Sequence, residues 1–128
     1  MLQQVVLVAV FGALGSLARY AVYLVAQRLP WENLPLATLA VNVVGSFLFG
    51  LAWSLAEQGR LSPQTRLLVL TGFMGAFTTF STFSFETGQM LRDSQWSAAA
   101  INIVANNLLG IGALLLGLAI TTRAASGV

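Results

Sequence analysis

The chain is 128 residues long, 57% hydrophobic and only 8% charged, with a mean hydropathy of +0.82 and a formal net charge of +2. Soluble domains carry about a quarter charged residues, so this composition excludes a water-soluble globule and describes an integral membrane protein. It has no cysteine and no histidine, and its arginines are too scattered for a basic cluster; disulfides, thiol chemistry, the usual transition-metal sites and nucleic-acid binding all drop out.

Charges leave uncharged runs at 1–18, 33–56, 67–85 and 94–122. A helix needs about 20 apolar residues to cross a hydrocarbon core ~30 Å thick. The runs predict an all-α, single four-helix transmembrane domain over 1–128, with spans near 4–27, 34–56, 65–90 and 96–121. The first reads as a span rather than a signal peptide. It lacks a basic start, is too long, and no small-residue cleavage site follows it.

Span one carries Gly12, Gly15 and Ser16, small residues that let helix backbones approach where lipid supplies no hydrophobic drive. Toward its end stands Arg19, which either snorkels to the interface or lines a vestibule and draws anions in. The linker Arg28-Leu-Pro-Trp-Glu-Asn-Leu-Pro35, with its prolines and Trp31, reads as a turn at the headgroup level. In span two, Thr38, Asn42 and Ser46 recur at i, i+4 and i+8 and form one polar stripe, while Gly45 and Gly50 serve close packing. The next linker, 57–64, contains Ser62-Pro63, a helix start.

Span three holds the densest signal. Gly72-Phe-Met-Gly-Ala-Phe-Thr-Thr-Phe-Ser-Thr-Phe-Ser-Phe-Glu86 mixes glycines, phenylalanines and hydroxyls where lipid solubility alone needs only leucine, valine and alanine. Thr78, Thr79, Ser81, Thr82 and Ser84 cover more than one side of any helix. With Gly72 and Gly75 ahead of them, they predict a helix break near 75–79, at mid-membrane. Non-helical backbone survives there only when buried in protein or satisfied by an ion or water, and freed carbonyls suit a hard cation. The alternative is an unbroken helix whose hydroxyls bond back to the i−4 carbonyls. Phe80 and Phe83 share a face, as core packing or as ring edges that an anion can rest against. Glu86, late in the span, is a second vestibule candidate.

The linker Arg92-Asp-Ser-Gln-Trp96 ends on a tryptophan placed to anchor at the interface. In span four, Asn102, Asn106 and Gly110 repeat the i, i+4, i+8 spacing, while Asn107 points elsewhere and is expected to bond a neighbouring helix; Gly112 and Gly117 add small residues. The asparagine stripes serve as glue between helices or as the lining of a pathway. Arg60, Arg66 and Arg123 fall on the side of the termini, Arg28 and Arg92 on the other, so the positive-inside bias is nearly nil. Either the count is noise in a small protein, or the chain inserts both ways round and pairs antiparallel with itself. Four helices enclose a hydrated pathway poorly, which independently favours an oligomer.

Gly12-Ala-Leu-Gly-Ser-Leu-Ala-Arg-Tyr20, Asn42-Val-Val-Gly-Ser-Phe-Leu-Phe-Gly50 and the 72–86 segment closely resemble the Fluc fluoride channels, also called the CrcB family. The resemblance covers essentially the whole chain. It implies an antiparallel, dual-topology homodimer with two pores in a bacterial inner membrane, passively exporting cytoplasmic fluoride to relieve its toxicity. It implies that Phe80 and Phe83 line the pores, that Asn42 donates a hydrogen bond to the fluoride ion, and that Thr38, Ser81 and Thr82 continue the polar pathway. Asn102 and Asn106 are carried onto that pathway with less motif behind them. Arg19 matches a vestibule arginine. The backbone carbonyls of Gly75 and Thr78, from both subunits, would hold a structural Na+ on the two-fold axis.

Other classes fit less well. A proton-coupled multidrug exporter needs a carboxylate in span one, where this chain has Arg19 and no acid. A membrane enzyme is disfavoured because Glu32, Glu57, Glu86 and Asp93 form no close pair in sequence. A cation channel using the span-three carbonyls, or an accessory membrane subunit, remains open to a flux measurement.

Overall fold

The computed structural model describes residues 1–28 and 35–126, with side chains through Thr121. The headgroup turn expected around Trp31 lies outside the described residues, as does the Arg123 side chain. The described chain runs through α1 (Leu2–Ala26), α2 (Leu36–Glu57), α3 (Pro63–Arg66), a π-helical stretch (Leu67–Met74), α4 (Gly75–Phe77), α5 (Phe80–Arg92) and α6 (Trp96–Ser126). Four stretches are long and apolar enough to cross a membrane: Leu2–Ala26, Leu36–Glu57, Pro63–Arg92 and Trp96–Thr121. The third is bent where α4 gives way to α5, and its mean hydropathy of 1.4 is below the 1.8 to 2.1 of the others.

Glycines set the closest approaches. A Cβ on Gly50 would overlap the Leu114 carbonyl, and one on Gly117 the Phe47 carbonyl, so α2 and α6 meet backbone to backbone. In α1, Gly15 lies against the Phe73 carbonyl and the Ala76 side chain. Gly72 returns the contact, with Phe11 Cβ 2.9 Å from the place its own Cβ would take. Such contacts exchange lipid for protein at nearly equal hydrophobicity, so close dispersion contact holds these helices together. Gly112 meets nothing of its own chain within 4 Å.

The helix ends follow local rules. Ser62 caps α3 by accepting from Thr65 N–H at 3.1 Å, with Pro63 in the first turn. α2 closes on a left-handed Gly59, with Gly59 N–H on the Ala56 carbonyl and Arg60 N–H on that of Leu55, both at 3.0 Å. α5 closes in the same way on Ser94, whose φ of 58° is left-handed without being glycine. Gln58 donates to Ser54 Oγ and to the Thr121 carbonyl, tying α2 to α6 at that end. Arg66 stacks over Trp53 with its guanidinium 4.1 Å from the ring centre, which joins α3 to α2.

Little of α1 is buried in the chain itself, and α6 exposes Ile101, Val104, Leu108, Leu115 and Ile120. In a membrane protein these faces meet lipid or another chain. The buried interior is small, centred on Thr38 and Val41 of α2 with Leu70, Met74 and Phe77 of the third span.

Candidate functional site

The break falls on Thr78 and Thr79, both extended, with φ/ψ of −78°/159° and −150°/114°. Glycine makes room for it. A Cβ on Gly45 of α2 would overlap the Thr78 methyl and press on the Phe77 ring. Thr78 Oγ1 does bond back to the Met74 carbonyl at 3.0 Å, as the unbroken-helix alternative requires, but the chain leaves the helix there all the same.

What replaces the lost helical bonds is specific. In a continuous helix Thr79 N–H would donate to the Gly75 carbonyl. Here it donates to Asn42 Oδ1 at 2.9 Å, while Asn42 Nδ2 donates to the Thr79 carbonyl at 3.1 Å. One side-chain amide thus satisfies both backbone groups of a residue that is almost fully buried. Thr82 N–H would likewise serve the Thr78 carbonyl, but it donates to Thr79 Oγ1 at 3.2 Å, the cap of α5. The carbonyls of Gly75 and Thr78 are therefore relieved of their helical partners. Thr78 O takes a long 3.4 Å contact from Arg19 Nη1 instead.

A groove of about 390 Å³ opens beside the break, lined by Asn42, Ser46, Phe49, Phe80, Phe83 and Asn106 among others. Phe80 and Phe83 tilt against each other at 52° with ring centres 5.6 Å apart. Phe80 is 78% exposed, so the groove has no wall of this chain on that side. The rings line a space whose polar side chains are amides and hydroxyls, with no carboxylate.

From Asn42 the polar contacts continue inward. Its Nδ2 also donates to Asn106 Oδ1 at 3.0 Å, and Asn106 Nδ2 donates to Asn102 Oδ1 at 2.9 Å. Asn102 Nδ2 donates to Thr87 Oγ1 at 3.0 Å, and Thr87 donates to the Phe83 carbonyl at 2.8 Å. Both amide hydrogens of Asn42 are committed. Asn107 departs from expectation: it bonds the Ile103 carbonyl of its own helix, not a neighbour, and lines the groove.

The other expected residues sit apart. Ser81 is exposed, and Thr82 takes the Thr79 hydroxyl at 2.9 Å. Thr38, fully buried, donates to Glu86 Oε1 and receives the Tyr23 hydroxyl, both at 2.7 Å. Glu86 Oε2 is buried with no hydrogen-bond partner. Tyr23, Phe49 and Thr87 were missed in the sequence. Phe49 was findable, because the stripe of Thr38, Asn42 and Ser46 reaches it one turn on; Tyr23 and Thr87 carry no local signal.

Comparison with known proteins shows the family. The family model described as CrcB-like protein, Camphor Resistance (CrcB), matches residues 6–118. A protein of Nitrosococcus oceani named fluoride-specific ion channel FluC is 48% identical over 122 residues, covering 94% of this chain and 98% of that one. Proteins of the same name from Maridesulfovibrio salexigens and Parabacteroides distasonis are 46% and 41% identical, over 88% and 90% of this chain and 90% of each relative.

Proposed function

The chain belongs to the CrcB family, and from that premise we propose that it is a fluoride-selective channel, passively exporting fluoride across a bacterial inner membrane. The observation that carries this reading is the Phe80–Phe83 pair, lining a groove whose polar side chains are amides and hydroxyls. A carboxylate lining would repel an anion. Ring edges attract it weakly, so it binds and leaves again. Ser81 and Thr82 extend the path beyond the rings. Glu86 and Arg19 border its approach, with Thr38 buried behind Glu86 as its hydrogen-bond donor. Asn42 donates to fluoride only when the anion displaces Asn106 or Thr79 from one of its committed hydrogens.

The channel works as an antiparallel homodimer with two pores. Support comes from the exposed Phe80, which leaves the groove unwalled on one side, and from the nearly even split of arginines between the two faces. Each copy brings one groove, hence one pore apiece. Hydrogen fluoride crosses lipid as a neutral molecule and dissociates in a less acidic cytoplasm. An inside-negative potential then drives the anion out at about 2.3 kcal/mol per 100 mV, with no need of ATP or a proton relay.

A structural Na+ fits the break. The donor set is backbone oxygen, suited to a hard cation, and the Gly75 and Thr78 carbonyls have lost their helical N–H partners to Asn42 and Thr79. Bound there, the ion would neutralise carbonyls that a symmetric dimer brings face to face, and it would displace the long Arg19 contact.

Purified protein in liposomes, read with a fluoride electrode, tests the function. Fluoride leaves fast while chloride and potassium stay. Equal chloride flux, or potassium flux instead, overturns the reading. Reporters fused to the C-terminus are expected on both sides of the membrane, and one-sided labelling overturns dual topology.

A further inference from the structure

We infer that Thr87 and Asn102 are positioning residues for the pathway, acting through the backbone that carries Phe80 and Phe83 without touching the anion; this rests on the groove being the fluoride path. The hydrogen-bond chain has two ends, one at the N-cap of α5 and one on its first turn. One end is Thr79, whose N–H and carbonyl are held by Asn42 immediately before Phe80. The other is the Phe83 carbonyl, which receives the Thr87 hydroxyl. Between them run Asn102 and Asn106 of α6, closing a loop through α2, α6 and α5. The loop brackets the aromatic pair.

Two of its members, Thr87 and Asn102, are buried where an anion has no access. Asn102 is 3% exposed and Thr87 is 8% exposed, and neither lines the groove. A buried amide that loses its partner costs more than the bond contributes when made, so links of such a chain hold together or fail together. Thr87 is the link that converts the α6 amides into a constraint on α5. Its hydroxyl accepts from Asn102 and donates to Phe83 at once. Valine has the same shape and does neither.

Thr87→Val and Asn102→Leu are each expected to slow fluoride efflux from liposomes about tenfold, and the double variant no further than the slower single one. Thr87→Ser, which keeps the hydroxyl, restores the rate. The second readout is the 19F NMR signal of 4-fluorophenylalanine placed at position 83. It shifts or broadens in Thr87→Val and stays put in Thr87→Ser. Slow efflux in Asn102→Leu with wild-type efflux in Thr87→Val would make Asn102 an anion ligand and overturn the inference. So would multiplied losses in the double variant, or an unmoved 19F signal. If Thr87→Val gives no folded protein, Asn102→Leu is read by the same signal. Wild-type protein that passes no fluoride refutes the channel reading, while the 19F comparison still decides whether Thr87 positions the ring.

Discussion

The two arms of the third span make opposite use of similar lengths of chain. Before the break, the π-helical stretch and α4 bury Leu68, Leu70, Gly72, Met74 and Phe77. After it, α5 buries only Thr87 and leaves Phe80 and Phe85 at 78% and 66% exposed. The first arm satisfies its packing inside one chain. The second carries aromatic rings and hydroxyls that one chain leaves open. Stability and function are thus divided at Thr78–Thr79, and substitutions on either side should separate the two.

The largest effect is expected on the open arm. Phe80→Ile or Phe83→Ile should abolish fluoride efflux in the electrode assay while the protein still purifies with the wild-type elution profile, since neither ring belongs to the buried core of the chain. Wild-type throughput would erase the contrast between the arms. At the junction, Asn42→Leu strands the N–H and carbonyl of buried Thr79, at about 1–3 kcal/mol for each group. The detergent-solubilised protein should melt well below wild type, and an unchanged melting temperature would mean that the clamp contributes nothing.

On the packed side, Gly45→Ala pushes a methyl into Thr78 and Phe77 and should cost about 1–3 kcal/mol by overpacking. Gly112→Ala, in open space, should fall within about 0.5 kcal/mol of wild type. Equal melting shifts for the two would show that the glycine contacts do not hold the break. One substitution is expected to give a gain. Ser94→Gly relieves a left-handed residue and should stabilise the protein by about 1 kcal/mol. A loss in thermal melting would show that the serine makes up for its strain.

Some of this was legible before any coordinates. The number of spans and their lipid-crossing character followed from hydropathy. The break was placed within 75–79 from hydroxyls too numerous for one helical face, and Phe80 and Phe83 were paired by their i, i+3 spacing. The asparagine stripes were seen too, yet their meaning was not. Glue and pathway lining share the same period, and only the partners distinguish them. Asn42 meets Thr79 across 37 positions of sequence and Asn106 across 64. The π-helical stretch was invisible, because an apolar run such as Leu67–Met74 reads alike in either helix.

Lipid makes part of such a chain locally readable. Every spanning segment must close its own backbone hydrogen bonds, so length, hydropathy and polar interruptions are written within one stretch of residues. The sequence by itself therefore determined a four-span membrane protein with a polar, glycine-led third span and an aromatic pair inside it, and it left a broken and an unbroken helix both open there. Which amide repairs the interruption, which glycine admits it, and which threonine links α6 to the aromatic turn were decided only when the helices packed. Those contacts join residues that no local period relates, and apolar solvent offers their polar groups no partner except one another.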